Sequence, residues 1–414
     1  MLKKLILNNW KSFREAELEI NALTILIGTN ASGKSNALDA LAFLNRTVQG
    51  IDLQSALAGD NKIAGIRGGV EWAALKPNHQ FTLKILVGTD DERTDYLYSI
   101  TVETTPRVQL VSESLDRIKK RPTTDKNPYQ IHLFWTDTVL QENPSITARL
   151  YNKKKGKPQE MHRSMSILSQ LEITKTITQE ITEGIEVVSQ VLSRLFILEP
   201  LPSLMRDYSP LTENLYSDAS NIAGVLAALK ADKKAEIEEA ISSYVTQLPE
   251  KDVRKVWAET VGKFNTDAML YCEEFWVSDH DPTIVDARGM SDGTLRFLAI
   301  LTALLTRPKG SQIVIEEVDN GLHPSRSGLL LKMLLDISEQ RTIDVLVTTH
   351  NPAILDELPL ELVPDVVVAH RDLSTGDSQL TLLEDLKNLP KLMASGSLGK
   401  VTSQGLIEQS FKIN

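Results

Sequence analysis

Eight consecutive residues, Gly28-Thr29-Asn30-Ala31-Ser32-Gly33-Lys34-Ser35, satisfy G-x-x-x-x-G-K-[ST] at every fixed position. Glycines at those places let backbone N–H groups curl around phosphate oxygens where a helix begins, which is the chemistry of a nucleotide phosphate loop. In such a loop Lys34 reaches the β- and γ-phosphates and the Ser35 hydroxyl holds Mg²⁺. Asn30, Ser32 and Asn36 belong to the same cofactor-binding stretch. A second set of residues sits far along the chain. The apolar run Ile313-Val314-Ile315 delivers Glu316 and Glu317 to the C-terminal end of a strand, where open α/β sheets bind ligands. There the first acid can hold the Mg²⁺ shell and the second can polarise an attacking water. Ser291-Asp292-Gly293-Thr294 precedes the helical run LRFLAILTALL, and a small hydroxyl with a glycine opening a helix makes another anion site. Finally, Thr348-Thr349-His350-Asn351-Pro352 ends the next strand, which brings His350 to the same edge as Glu317 as a γ-phosphate contact. The implied cofactors are ATP and Mg²⁺.

These residues need elements to hold them. The run LTILIG before the phosphate loop reads as a buried strand, and Ala37, Leu38, Leu41, Ala42 and Leu44 after it follow helical spacing. FTLKILVG and YLYSITVET, parted by the polar turn TDDERTD, predict an antiparallel hairpin. Two helical runs follow, 166–195 (with Ile173, Ile177, Ile181, Leu192 and Leu195 as its stripe) and 219–247. From Ile284 onward QIVIEEV, DVLVTTH and DVVVAH read as strands, with the helix SGLLLKMLLDISEQ between the first two forming a parallel crossover. The basic segments 117–126 and 153–157 read as solvated loops, with nucleic-acid binding as the alternative.

Composition narrows the class. The 414 residues carry 45 Lys+Arg against 55 Asp+Glu, a net charge of −10, which argues against nucleic-acid affinity through bulk charge. At 42% hydrophobic and 24% charged residues the chain can bury a core and is no disordered tail. Cys272 is the only cysteine, which excludes a disulfide scaffold or a zinc hook and suits a reducing, cytoplasmic setting. No apolar stretch is long enough for a membrane span or a signal peptide.

The order of phosphate loop, S-D-G signature, acidic strand and histidine resembles the ABC-type ATPases of the SMC/RecF/OLD-like group. LNNWKSFREAELEI, LTILIGTNASGKSNALDALAFL, EEVDNGLHP and TTHNPAILDEL carry the likeness over roughly residues 1–45 and 284–360, with weaker similarity around Glu113 and in DASNIAGVLAALK. The resemblance implies an α/β P-loop NTPase head with an antiparallel β subdomain and a helical insertion. Its expected parts are residues 1–160 and 284–380 as the two halves of the head, 161–283 as the helical insertion and 381–414 as a C-terminal extension. It further implies a homodimer with nucleotide between two heads, so that Ser291 and Gly293 touch the γ-phosphate of the opposite head. Glu317 becomes the general base, His350 the switch residue and Asp319 the D-loop residue between heads. Lys11 and Ser12 fall near the base or ribose, and Arg67 is either an arginine beside the phosphates or a plain surface residue.

Beside the uncertain match of Arg67, two features depart from the group. Glu316 stands where the Walker B aspartate is usual, one methylene longer with the same charge. The Q-loop glutamine has no clear place, Gln130 and Gln170 being the candidates. The space between the two halves holds a few helices but no SMC-length arms, and the 64 residues after His350 are too few for a Toprim nuclease. The expected function is an ATP-hydrolysing molecular switch that works with a separately encoded effector or with DNA, in anti-phage defence or DNA repair. The chain alone is expected to cut no nucleic acid. The alternatives are a transporter's nucleotide-binding subunit and a nucleotide-gated scaffold with negligible turnover.

Overall fold

The computed structural model describes residues 1–61, 63–120, 129–139, 142–172, 177–250, 252–275 and 282–411. They form two compact units, residues 1–195 with 367–383 and residues 196–366 with 384–414. These limits fall elsewhere than the sequence boundaries at 160, 283 and 380.

The first unit carries an eight-stranded antiparallel sheet in the order Phe13–Glu19, Leu2–Trp10, Gln80–Gly88, Thr94–Glu103, Gln109–Lys119, Tyr129–Thr136, Ser145–Leu150, Lys157–His162. The expected hairpin is its centre, with Leu83 opposite Ile100 and Ile85 opposite Tyr98. Alternation puts Leu5, Leu7, Leu83, Ile85, Tyr98 and Ile100 on one wholly buried face. The helix Lys34–Val48 buries Ala37, Leu38, Ala40, Leu41, Phe43 and Leu44. Phe43 joins Trp10 and Phe81 in a ring cluster with centroids 4.7–6.0 Å apart. Each such ring pair contributes about 0.5–1.5 kcal/mol beyond the area it buries, so the phosphate-loop helix is fixed to the sheet at its middle. Beside it, the fully buried strand Leu23–Ile27 neighbours Val366–Arg371, which pairs antiparallel with Ser378–Leu382.

In the second unit the strands Gln312–Ile315 and Asp344–Thr348 run parallel, Ile313 beside Val345, with the helix Ser327–Arg341 as their crossover. A separate antiparallel sheet joins Ser209–Pro210, Asp267–Glu274, Val253–Val261 and Thr283–Asp286. Three short helices, Leu389–Ser395, Leu398–Ser403 and Leu406–Ser410, close the described chain.

The middle of the chain departs from expectation. Segment 161–283 is not purely helical, since it contains the hairpin Val253–Val261/Asp267–Glu274. The single helix expected over 166–195 is two, Ile167–Glu172 and Gln179–Ser193, while Leu195 opens the strand Leu195–Leu198. The Ile- and Thr-rich stretch between them is β-branched and a poor helix former, and Ile173 lies outside the described residues. The run 219–247 is likewise split into Ile222–Ala228 and Ala231–Val245 by extended backbone at Leu229 and Lys230. The basic segment 117–126 begins inside a strand, where Arg117 pairs with Glu180 at 3.4 Å. Its residues 121–126 lie outside the described residues. Lys153, Lys154 and Lys155 form an exposed turn, as a solvated loop should.

Candidate functional site

The phosphate loop is a product of glycine geometry. Leu23–Ile27 hands the chain to Gly28 at φ 142°, and Ala31 (63°) and Gly33 (115°) also take positive φ before the helix starts at Lys34. A Cβ at Gly28 would stand 2.2 Å from the Ala369 carbonyl oxygen, and one at Gly33 would stand 2.6 Å from Ser378 Oγ. Glycine alone meets both the dihedral and the space requirement. Lys34 is buried and folds back on the loop, donating to the carbonyls of Gly28 at 2.7 Å and Thr29 at 3.0 Å. Asn30 is exposed at the tip. Ser32 Oγ is buried and, among the described residues, has no hydrogen-bond partner. An orphaned hydroxyl inside a curl of backbone at a helix N-terminus is satisfied by a phosphate oxygen, so the residues present fit a nucleotide.

A network of side chains braces the loop. Asn36 Nδ2 donates to Ser12 Oγ at 2.7 Å, Ser378 Oγ donates to the same oxygen at 2.8 Å, and Trp10 Nε1 donates to the Asn36 carbonyl at 2.7 Å. Lys11 Nζ bridges Asp39 and the Arg67 carbonyl at 2.5 and 2.6 Å. Burial draws the Lys11 ammonium below the usual lysine range, while the Asp39 charge opposes that shift. Arg67 Nη1 reaches the Ser35 carbonyl at 3.3 Å, which places this arginine at the first turn of the phosphate-loop helix and not on an unrelated surface. Beside the network opens a pocket of about 340 Å³ bounded by Lys11, Ser12, Asn36, Arg67, Trp72, Leu75, Lys76 and Arg371. Trp72 is 56% exposed there, although Ala73 and Ala74 next to it are buried. Backbone bonds from Lys11 N to Ala73 O (2.9 Å) and Leu75 N to Asn9 O (2.8 Å) fix the loop that presents it.

The second unit gathers the other predicted residues. Glu316 follows the strand Gln312–Ile315 and is half-buried. Glu317 adopts φ 47°, a left-handed conformation that costs a residue with a Cβ about 1–2 kcal/mol. The neighbouring strand holds it there, because Glu317 N–H donates to Thr348 Oγ1 at 2.8 Å and Val318 N–H to the Thr348 carbonyl at 3.0 Å. Strain held at a strand end exposes the carboxylate, whose Oε1 lies 3.9 Å from His350 Nδ1. Both side chains remain roughly half-exposed, at 43% and 49%. Asn320 Nδ2 donates to the other Glu317 oxygen at 3.2 Å. Asp319 is buried, and its Oδ1 has no partner among the described residues.

Ser291 caps the helix Asp292–Thr306 by accepting from Thr294 N–H at 3.1 Å, and stands exposed at its N-terminus. Gly293 has a steric reason of its own: a Cβ would meet the Gly321 carbonyl at 2.7 Å, so glycine lets the signature helix touch the segment after Asp319. Both glutamine candidates are engaged in other contacts. Gln130 is bound to Asp116 at 2.9 Å, and Gln170 is tied to the backbone of His162 at 2.9 Å through both ends of its amide. Sequence reasoning did not single out Trp72 and Arg371, which line the pocket, or Arg206, which grips the turn before Ser291. A lone tryptophan in GGVEWAALKP and an arginine in a proline-rich break carry no pattern, and only the positive charge of Arg371 near a strand end offered a hint.

Comparison with known proteins agrees with this architecture. Residues 23–356 match a family described as "AAA domain, putative AbiEii toxin, Type IV TA system". A curated Helicobacter pylori protein (strain ATCC 700392 / 26695) named ATP/GTP phosphatase is 25% identical over 164 residues, 39% of this chain and 40% of that protein. This chain therefore spans well under half of that relative. Among solved structures, an SMC head bound to the C-terminal winged-helix domain of ScpA aligns with 92% of this chain and 97% of its own, at 14% identity and a TM-score of 0.53. A Pyrococcus furiosus SMC head with an extended coiled coil, bound to the C-terminal domain of ScpA, aligns with 95% and 99% at 12% identity and a TM-score of 0.51. At that identity the likeness concerns the fold alone, that of an SMC head.

Proposed function

The chain belongs to this AAA-domain family, and from that premise we propose that it is an ATP-binding and ATP-hydrolysing switch whose heads close in pairs around nucleotide. The observation that carries the proposal is the phosphate loop, with its folded-back Lys34 and its buried Ser32 hydroxyl, which has no partner among the described residues. Lys34 neutralises the β- and γ-phosphates when nucleotide displaces its bonds to the loop carbonyls. Ser35 and Glu316 are the residues that would hold Mg²⁺, which when bound screens phosphate charge. Glu317 takes the proton of the attacking water, and His350, 3.9 Å away, senses the γ-phosphate. Ser291, Gly293 and Asp319 serve the head opposite. What supports turnover is the pairing of a half-exposed Glu317 carboxylate with His350 Nδ1, 3.9 Å away at the strand end.

The base would lie on Trp72. The pocket beside the loop offers the cations of Lys11, Arg67, Lys76 and Arg371, and none of its described lining residues is a carboxylate. Recognition there falls to the aromatic face, which every base possesses. The relative's name, ATP/GTP phosphatase, accords with a pocket that tolerates either purine.

A separately encoded effector fits the remaining surface, and the family's description, which names a toxin, accords with a defence module. The solved SMC heads are bound to ScpA domains, which is the precedent for a protein partner. Among the described residues no helix is long and apolar enough to cross a membrane.

Mixed heads test the shared site. Ser291→Arg should bind ATP yet fail to engage, because a bulky cation fills the opposite head's phosphate position; Lys34→Ala should fail to bind. Mixed together, they form pairs with one site intact in both halves. ATPase activity recovered on mixing is the expected result. No recovery, where heterodimers are shown to form, removes the trans arrangement.

A further inference from the structure

The turn between the strand Thr283–Asp286 and the helix Asp292–Thr306 has bonds of its own, Arg288 Nε to the Asp286 carboxylate at 3.1 Å and Gly289 N–H to the Asp286 carbonyl at 2.9 Å, and is gripped in addition by a side chain from a distant part of the sequence. Arg206, which ends the short helix Pro202–Met205, donates from Nη1 to three carbonyl oxygens of that turn: Ala287 at 3.1 Å, Arg288 at 3.0 Å and Met290 at 2.7 Å. Its Nη2 meets Asp292 Oδ1 at 2.5 Å. Four acceptors on one guanidinium form a clasp. Nη1 has two hydrogens for three carbonyls, so at least one hydrogen is shared between acceptors, while the second amino nitrogen of the planar fork reaches Asp292, a division of labour that the single ammonium of a lysine does not have.

The clasp sits directly before the signature motif. Met290 precedes the Ser291 cap, and Asp292 occupies the first turn of the signature helix with its side chain 68% exposed. A carboxylate in a first turn favours the helix dipole but repels an incoming phosphate. Arg206 therefore performs two tasks at once: it braces the carbonyls of the turn, and it offsets part of the charge of the exposed Asp292.

We propose that Arg206 is a positioning residue for the signature motif, presetting the turn and neutralising Asp292 so that the helix N-terminus can receive the phosphate of the opposite head's nucleotide. The proposal rests on the reading that Ser291 and Gly293 serve nucleotide in trans. It goes beyond that reading by making the proline-rich segment, through one arginine, part of the hydrolytic assembly.

The test measures kcat, KM and equilibrium ATP affinity for the full chain and its variants. Arg206→Ala should lower kcat by ~10–100-fold, the scale of a misplaced catalytic contact, while ATP affinity stays within about twofold. Adding Asp292→Asn to Arg206→Ala should recover several-fold of the lost kcat, because the unmasked carboxylate is gone. A merely structural arginine would give no such recovery. Wild-type kcat in Arg206→Ala, a parallel fall in affinity, or a double variant no faster than the single one each overturns the proposal. If thermal unfolding shows that Arg206→Ala is not folded, Arg206→Lys replaces it; a kcat lowered at least threefold supports the clasp, and an unchanged kcat refutes it. A wild-type chain that neither binds nor hydrolyses ATP would instead sink the parent reading, so the two failures stay distinct.

Discussion

The phosphate loop and the acidic strand end solve opposite problems. Around the loop, the side chains are bound to one another: Asn36, Ser12 and Ser378 share one hydroxyl, Lys11 bridges Asp39 and the Arg67 carbonyl, and Lys34 is folded inward. At the acidic end Glu317 and His350 stand half-exposed, 3.9 Å apart, and the backbone of Glu317 is held at a positive φ. The first region is organised for a ligand before it arrives. The second keeps its carboxylate and imidazole accessible to solvent. Binding and turnover should therefore respond to different mutations.

The largest effect should come from removing the cation of the first region. Lys34→Ala is expected to abolish ATP binding, measured by equilibrium titration with a labelled nucleotide, because the loop loses the ammonium that faces the β- and γ-phosphates. Unchanged affinity would move the nucleotide elsewhere. Next comes Trp72→Ala, which should weaken ATP and GTP alike, on the order of ten- to a hundredfold, from the ~1–3 kcal/mol of a base–aromatic stack. Inorganic tripolyphosphate, which has no base, should bind both proteins equally; a variant that discriminates ATP from GTP would mean that the base edge is read. The smallest expected effect concerns neither region. Burial pushes the Cys272 thiol up to about 12, with Glu274 adding to the shift, so maleimide at pH 8 should label the urea-unfolded chain and spare the native one. Rapid native labelling would show that the hairpin Val253–Val261/Asp267–Glu274 opens readily.

Those expectations draw unequally on the sequence. The phosphate loop was readable because its function demands glycine at fixed spacing, and Gly28 and Gly33 indeed occupy conformations and spaces closed to other residues. The strands whose ends carry Glu316, Glu317 and His350 were readable because buried parallel strands announce themselves as apolar runs. Strain at Glu317 was not readable, since it arises from Thr348 on another strand. The split of the run 219–247 was hidden because neither Gly nor Pro marks Leu229 or Lys230, where the backbone turns extended. Glu113 was noticed only as a weak likeness. It is a buried carboxylate that receives Ile167 N–H at 2.7 Å and Leu168 N–H at 2.9 Å, capping a helix fifty residues away in a way no local pattern encodes.

The separation of binding from turnover can be tested in one variant. Glu317→Gln keeps the shape of the side chain and removes the base, leaving the phosphate loop untouched. Its Kd for ATP and its single-turnover rate of phosphate release should be measured on the same preparation. The account predicts a Kd within a few-fold of wild type and release slowed by ~10²–10⁴, the usual contribution of a positioned general base. Release at the wild-type rate, or a Kd that weakens as much as release slows, would contradict it.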